Sequence, residues 1–117
     1  MEGIYIIIDN AFEATEEKKN LLKNEEQMKY IPQIDISLTH KNDKSIIKIS
    51  DNGIGIKEEN NSKIFIPFFT TKSSSKSGTG IGMYIVRRMI VENHKGKIWF
   101  ESKYMVGTDI IIELPNL

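Results

Sequence analysis

Two short glycine-containing motifs carry residue types that could do chemistry, and the first is DNGIG at positions 51–55. An Asn-Gly pair after a strand is more often a simple turn than a binding site. The alternative is that Asp51 projects from the strand end as a fixed hydrogen-bond acceptor, while Gly53 and Gly55 let a flat ring approach the backbone. A carboxylate that faces an exocyclic amine suits adenine, so the motif is a candidate adenine site.

The second motif is SGTGIGM at positions 77–83. Its glycine spacing does not fit the dinucleotide-binding fingerprint, and it lacks the Gly-Lys-Ser/Thr of a P-loop. One interpretation is a flexible linker. The other is a phosphate site, because the run opens onto a predicted helix whose free amides and dipole favour an anion. Lys72 is either a solvated loop lysine or a further phosphate contact.

Asn10 is the candidate metal ligand. An asparagine on a helix is usually an ordinary polar residue, but Glu13 follows one turn later, and an amide oxygen there could reach a hydrated magnesium ion. His40 and His94 lie too far apart, with too few companions, to form a metal pair. The chain has no cysteine, which excludes a thiolate nucleophile, a disulfide framework and a cysteine metal site.

Composition limits the remaining possibilities. The 117 residues are enough for one domain, and 16 basic residues balance 16 acidic ones, so neither nucleic acid nor a direct membrane contact is an expected partner. No apolar run approaches the roughly 20 residues of a membrane-spanning helix. We therefore expect a cytoplasmic domain.

The spacing of apolar residues predicts a helix at the N-terminus that begins without a capping residue, as if cut within the helix. Its predicted core stripe comprises Ile4, Ile7, Ile8, Ala11, Phe12 and Thr15. A neighbouring edge carries Ile6, Asn10, Glu13 and Glu17. Residues 16–30 are expected to hold the helix end and a solvated connector.

Alternation then predicts a half-buried strand over 34–40, a turn at 41–44 and a second strand over 46–50. A helix is expected over 79–93, with Ile81, Ile85, Met89 and Ile90 inward, followed by strands over 97–102 and 108–114. This order favours an α+β fold: a two-layer α/β sandwich whose mostly antiparallel, mixed sheet is covered on one face by helices. The whole chain, 1–117, is expected to be a single domain.

Taken together and in order, the motifs resemble the ATP-binding domain shared by sensor histidine kinases, gyrase-type ATPases, heat-shock chaperones and mismatch-repair ATPases, with sensor histidine kinases the most similar. DNAFEAT at 9–15 resembles the family's N box, and DNGIGI at 51–56 its first glycine box. IFIPFFTTK at 64–72 resembles the F box. The run GTGIGMYIVRRMIVENHKGKIWFES at 78–102 resembles the second glycine box with the helix and strand that follow it.

The resemblance implies a role for particular residues. Asn10 would coordinate Mg²⁺, Asp51 would accept a hydrogen bond from the adenine amine, and Thr108 would support the adenine site through water. The implied nucleotide-binding set comprises Asn10, Asp51, Gly53, Gly55, Ile56, Thr70, Thr71, Lys72, Gly78, Thr79, Gly80, Ile81, Gly82 and Thr108. Residues 57–78 would form the ATP lid, with Ile64, Phe65, Phe68 and Phe69 anchoring its base.

One position departs from the family pattern. Ile6 stands four residues before Asn10, where sensor kinases usually have a second asparagine and the hydrolytic relatives have a glutamate. No residue of the chain is therefore assigned as catalytic, and Glu13 is only a remote substitute for a base.

The resemblance implies a catalytic domain that binds Mg-ATP and donates its γ-phosphate to a histidine on a separate dimerisation domain, with a response regulator receiver domain as the further partner. The isolated chain should not be active alone, and its parent protein could be a membrane-anchored sensor. Two alternatives share the fold: a non-catalytic nucleotide-sensing module and an anti-sigma-type serine/threonine kinase.

Overall fold

A four-stranded sheet with helices on one face forms the body of the molecule. The computed structural model describes residues 2–66 and 82–115. In chain order the elements are α1 (Glu2–Leu21), α2 (Asn24–Lys29), β1 (Ile34–Lys41), β2 (Lys44–Asp51), a 3-10 helix (Glu58–Lys63), α3 (Gly82–Arg88), a π-helical turn (Met89–Asn93), β3 (Lys97–Lys103) and β4 (Gly107–Pro115). Within these ranges no helix is both long and apolar enough to cross a bilayer.

The strands lie in the order β1-β2-β4-β3, and each neighbouring pair is antiparallel. The β1–β2 hairpin turns through Asn42 and Asp43, both with positive φ (52° and 61°), as a two-residue hairpin turn requires. The predicted hairpin and the predicted α+β sandwich are confirmed. The described strands show only antiparallel pairing, so the expected mixed character is not seen in them.

The core lies between the sheet and the helices. Successive side chains on a strand point to opposite faces. One face carries the ladder pairs Ile49–Ile110 and Ile47–Ile112 between β2 and β4, of which Ile47 is half-buried and the other three are buried. From the helices, Ile7, Val86 and Ile90 pack into the same cluster: Ile7, Ile49, Val86, Ile90, Ile110 and Ile112. Asp51 and Thr108 lie at one end of this face, which places a polar site at the margin of the core.

Helix α1 buries Ile7, Ala11 and Thr15 of its predicted stripe and half-buries Ile4 and Ile8. Phe12 is the exception, since 60% of it is exposed. The prediction that it faces the core was wrong because α1 packs on β2, β4 and α3, while Phe12 lies on the flank turned away from α3. The spacing of apolar residues alone does not predict how much of the helix surface the neighbouring elements cover.

Helix α3 also differs from the prediction in one residue. Ile90 is fully buried as expected, but Val86 accompanies it, and Ile85 is 37% exposed. Val86 lies four residues before Ile90 and shares its face, whereas Ile85 lies five residues before it. The π-helical turn at the end of α3 was not predicted.

Strand β1 is an edge of the sheet. It was expected to be half-buried, yet Ile36 and Leu38 are 56% and 59% exposed. They lie on the same sheet face as Ile47 and Ile49, to which they pair, but the helices lie over the inner strands. The short α2 and the 3-10 helix were not predicted either.

Candidate functional site

Asp51 is the last residue of β2 and lies directly opposite Thr108 of β4. Its side chain is half-buried and points to the helix-covered face, two residues along the strand from Ile49. The main-chain N–H of Gly53 donates to Asp51 Oδ1 at 2.8 Å. The carboxylate is thus held at the end of the strand, as the sequence predicted.

The electrostatics of Asp51 reflect this position. Burial raises the pKa of its carboxyl above the ordinary value, and the nearby Asp109 also raises it. Main-chain N–H groups of Gly53 and Thr108 and the ammonium of Lys18 lower the pKa, but the net direction is upward. The carboxylate has therefore lost water that its own neighbours do not fully replace. An N–H donor from a ligand would offset part of that loss.

The two glycines after Asp51 are required by the protein's own packing. A Cβ on Gly53 would come within 2.6 Å of the Ala14 carbonyl carbon in α1. Gly55 has a φ of +73°, and a Cβ there would lie 2.1 Å from the Lys103 carbonyl oxygen. The turn is packed between α1 and the β3–β4 hairpin, so glycine is needed at both positions. The close approach of a flat ring stays a prediction.

Ser102 is a site residue that sequence reasoning missed. Its hydroxyl accepts from the Ile56 N–H at 2.8 Å and donates to the Gly107 carbonyl oxygen at 3.0 Å. It also lies 2.6 Å from Thr108 Oγ1. Because Ser102 has one hydrogen and a carbonyl can only accept, the Thr108 hydroxyl donates to Ser102. Thr108 therefore keeps its acceptor lone pairs for a water. Ser102 could not be found from the sequence, because its pairing with Thr108 appears only in the register of β3 and β4.

One flank of α1 faces the start of α3. Ile6 and Asn10 lie one helical turn apart on this flank, and a Cβ built on Gly82 would be 2.9 Å from Ile6 Cγ2. Glu13 and Asn10 are both half-buried there. Asn10, predicted to bind metal, and Gly82, predicted to bind phosphate, thus belong to the same face between the two helices.

The described ranges 2–66 and 82–115 contain no group of three or more His, Cys, Asp or Glu side chains that could hold a metal ion. Mg²⁺ that arrives with a nucleotide does not need such a group, because it keeps several waters and binds phosphates with one or two protein oxygens. The amide oxygen of Asn10 fits that requirement, while a resident multi-carboxylate metal centre is not supported by these residues.

Part of the predicted set lies outside the described residues: Thr70, Thr71, Lys72, Gly78, Thr79, Gly80 and Ile81, together with Phe68 and Phe69 of the lid anchor. Two residues of the predicted lid anchor are described. The ring of Phe65 packs edge-on against that of Phe100, with 5.9 Å between the ring centroids, and Ile64 is half-buried. Phe100 belongs to the sheet face that carries the core, so Phe65 ties the chain before position 67 to the body.

Asn52 is the second residue that sequence reasoning missed, having been interpreted only as part of a turn. Its Oδ1 accepts from the Gln33 N–H (2.8 Å), its Nδ2 donates to the Ile31 carbonyl (2.8 Å), and its N–H donates to the Gln33 carbonyl (3.2 Å). Its carbonyl oxygen accepts from Tyr30 Oη at 3.0 Å and Lys18 Nζ at 3.3 Å. We call these four surrounding residues the Asn52 bracket: Lys18, Tyr30, Ile31 and Gln33.

Comparison with known proteins adds to this geometry. Residues 2–117 match the family described as histidine kinase-, DNA gyrase B- and HSP90-like ATPase. The chain belongs to this family. Over 117 residues it is 34% identical to the sensor protein RprX of Bacteroides fragilis, covering 97% of this chain and 20% of that protein. It is 39% identical over 97 residues to sporulation kinase D of Bacillus subtilis, covering 82% of this chain and 18% of that kinase.

Solved structures agree with the family. The nucleotide-free catalytic domain of histidine kinase ThkA superposes with a TM-score of 0.73 at 33% identity, covering 98% of this chain and 65% of that one. The mycobacterial sensor histidine kinase MprB has the same TM-score at 23% identity over 97% of this chain and 69% of that one, which shows the fold alone. The chain spans about a fifth of the length of the curated relatives. It is an ATP-binding catalytic domain of the sensor-kinase type, as its motifs predicted.

Proposed function

We propose that this histidine-kinase-type domain binds Mg-ATP between the Asn10 flank of α1, the turn after β2 and the start of α3. Asp51 accepts a hydrogen bond from the adenine amine, and Thr108 accepts one from a water beside the ring. Asn10 supplies an oxygen to the Mg²⁺ that accompanies the phosphates. Lys72 and the amides around Gly78, Thr79, Gly80 and Gly82 hold the phosphates.

The observation that supports this proposal best is the state of Asp51. Its carboxylate is fixed by the Gly53 N–H at 2.8 Å, sits opposite Thr108, and has a pKa raised by burial. A structural turn alone would not need a partly desolvated carboxylate, since exposure to water would cost less. A donor from the ligand supplies the missing hydrogen bond, which for a charged acceptor contributes about 1.5–3 kcal/mol.

In the protein from which the domain comes, we propose that the γ-phosphoryl group passes to a histidine of a dimerisation domain and then to a response regulator receiver domain. A P–N bond forms at the histidine as the bridging P–O bond breaks, and ADP leaves with the electron pair. The residues of this chain contribute position and charge neutralisation, which dominate phosphoryl transfer. Because the nucleotide is cytoplasmic, we place the domain on the cytoplasmic side.

A titration with a fluorescent ATP analogue, with and without Mg²⁺, tests nucleotide binding. We expect binding that ATP displaces and GTP displaces poorly, because guanine has the acceptor O6 where adenine has its amine. Asp51→Asn keeps the shape of the side chain but places a donor where an acceptor is needed. It should weaken ATP binding at least about tenfold, or about 1.4 kcal/mol.

Asp109→Asn is the matched control. Asp109 follows Thr108 on β4 but points to the other sheet face, where it forms an ion pair with Lys48 at 3.6 Å. Asp109→Asn should leave ATP affinity within about twofold of the wild type, since surface ion pairs contribute little. Equal displacement by ATP and GTP, or equal affinities of the two variants, would contradict the proposed adenine site.

A further inference from the structure

We propose that Tyr30 and Lys18 are positioning residues for the nucleotide: acting through Asn52, they hold the turn that presents the Asp51 carboxylate to the base. The inference rests on the proposed adenine site, and it adds residues from α1 and from the connector after α2. Neither residue touches Asp51 through a hydrogen bond. Their positioning effect passes through the main chain of Asn52, which accepts from both side chains, and the charge of Lys18 also acts on Asp51 through space.

The Asn52 bracket uses every polar atom of Asn52. The main-chain N–H and both side-chain polar atoms bond to the main chain of the 30–33 connector, at 2.8 to 3.2 Å. The carbonyl oxygen accepts from Tyr30 and Lys18, and Tyr30 Oη also lies 3.2 Å from Asn52 Oδ1. Rotating the peptide after Asn52 would break both side-chain bonds to its oxygen. The same peptide carries the Gly53 N–H that donates to Asp51 Oδ1 at 2.8 Å, so the bracket fixes the donor that holds the carboxylate.

Tyr30 and Lys18 also hold each other. Lys18 Nζ lies over the Tyr30 ring, 5.0 Å from its centroid, which is a cation–π arrangement. The ammonium therefore has a set position beside the turn instead of a free one in solvent. Both side chains reach the Asn52 carbonyl from elements that are distant in sequence, α1 and the connector, so the bracket joins the turn to the rest of the domain.

The same arrangement places a cation near Asp51. Among the described residues, the charged groups that act on Asp51 are Lys18 from α1 and Asp109 from β4, and Asp51 in turn acts on the Tyr30 phenol of the connector. Lys18 lowers the pKa of the Asp51 carboxyl and Asp109 raises it. Burial and the charge of Asp51 raise the pKa of the Tyr30 phenol, which stays protonated and able to donate. Lys18 thus favours the ionised form of Asp51 that accepts from adenine.

Two variants with matched controls test the inference. Tyr30→Phe removes the hydroxyl but keeps the ring beneath Lys18, and Tyr5→Phe makes the same change at an exposed tyrosine of α1. Lys18→Met removes the ammonium, and Lys19→Met does so at the exposed next residue. Affinity for the fluorescent ATP analogue is measured by titration, with ATP and GTP as competitors, and thermal unfolding is followed in parallel.

We expect Tyr30→Phe to weaken ATP binding about fivefold, the effect of one lost hydrogen bond, and to reduce the preference for ATP over GTP. Tyr5→Phe should change neither. Lys18→Met should also move the acid limb of ATP binding to higher pH. The reason is that Asp51 must be ionised to accept from the amine, and loss of the nearby cation raises its pKa further. Titration of the nucleotide phosphates is common to Lys18→Met and Lys19→Met and cancels in their comparison.

The outcomes separate the two proposals. If the wild type shows no preference for ATP over GTP, the adenine site fails and the bracket role fails with it. If the wild type prefers ATP but Tyr30→Phe and Lys18→Met match their controls in affinity, in ATP:GTP ratio and in pH profile, only the positioning role is overturned. The positioning role would likewise be overturned if Tyr30→Phe and Lys18→Met lower the melting temperature but leave the ratio of ATP affinity to GTP affinity unchanged in the folded protein. Should Tyr30→Phe fail to fold, the ATP affinity of Lys18→Met and its preference for ATP over GTP, both measured at neutral pH against Lys19→Met, decide.

Discussion

Gly82 at the start of α3 lies against Ile6 of α1, where a Cβ on the glycine would come within 2.9 Å of Ile6 Cγ2. Ile6 is also half-buried and packs on the hydrophobic core. Ile6 therefore packs on the core on one side and on Gly82 on the other. Gly82 belongs to the second glycine motif, which is predicted to bind phosphate. Its position beside Asn10 fits an apolar residue that closes the predicted phosphate end of the site.

The first prediction concerns hydrolysis of ATP. An isoleucine can neither accept a proton nor ligate Mg²⁺, so the wild-type domain should release phosphate from ATP very slowly. Ile6→Glu should raise the rate by at least about tenfold, since a general base typically contributes 10²–10⁴-fold. Phosphate release is measured at saturating Mg-ATP and corrected for the folded fraction, because a half-buried carboxylate also costs stability.

Ile6→Gln is the control for that experiment. Glutamine has the size and polarity of glutamate but cannot act as a base, so it should leave hydrolysis at the wild-type rate. Brisk turnover by the wild type, or equal rates for the glutamine and glutamate variants, would contradict the assigned place of Ile6.

The second prediction separates stability from binding at Asp51. Burial raises the pKa of this carboxyl in the folded state above its ordinary value near 3.8, so the folded protein binds the proton more tightly than the unfolded chain. Ionisation of Asp51 thus reduces the free energy of unfolding, fully so above the folded-state pKa and not at all below the unfolded-state value. Asp51→Asn should then be at least as stable as the wild type at neutral pH, despite its loss of ATP affinity.

Denaturant unfolding of both proteins between pH 3 and pH 7 measures this difference. The gap between Asp51→Asn and the wild type should widen as pH rises through the raised pKa and then stay constant. A wild type that is more stable than Asp51→Asn at pH 7 would contradict the direction of the shift.

The third prediction compares two isoleucines of the same helical segment. Ile90 is fully buried and Ile85 is 37% exposed, although sequence spacing assigned both to the core. Ile90→Ala should lower the free energy of unfolding by about 2–5 kcal/mol, the cost of a cavity in a packed core. Ile85→Ala should cost about 1 kcal/mol or less. Chemical denaturation measures both losses of stability. Equal losses would contradict the orientation in which Ile90 faces the core and Ile85 faces solvent.

The fourth prediction concerns phosphoryl transfer. His40 is exposed near the end of β1, where its Nδ1 lies 3.0 Å from Ser45 Oγ, and His94 is exposed after the π-helical turn. Neither lies on the face of a long helix that could be presented to the γ-phosphate. Incubation with ATP labelled at that phosphate should leave the chain unlabelled, and a histidine-containing dimerisation domain added in trans should take up the label. Stable phosphohistidine at either position would overturn this expectation.

The sequence predicted elements well where local spacing and tertiary contacts agree. Ile7, Ala11 and Thr15 repeat at helical intervals, and α1 buries them because the sheet lies beneath that stripe. Ile36 and Leu38 have an equally regular period of two, yet they are exposed because β1 is an edge strand outside the helix layer. Periodicity reports which residues share a face, whereas the order of strands decides whether that face is covered.

The candidate site shows a similar division. Asp51 could be predicted as a site residue because a contiguous motif carries its chemistry. Asn52 and Ser102 could not, because their partners lie far away in the chain: Asn52 bonds to the connector and to α1, and Ser102 bonds to Ile56 across the fold. Their roles depend on contacts that appear only once the sheet register and the packing of α1 are known.

The packing of the glycine turn has a consequence for how the molecule opens. The Ile54 N–H donates to the Ala14 carbonyl at 3.0 Å, and the Ile54 carbonyl accepts from Met105 in the β3–β4 turn. To expose the Ile54 amide to solvent, α1 must separate from the sheet, so this irregular loop should unfold in the same cooperative unit as the core. Its amide proton should then exchange with deuterium as slowly as those of the central strands. The Val106 amide, which bonds only within its own turn to Lys103, should exchange far sooner.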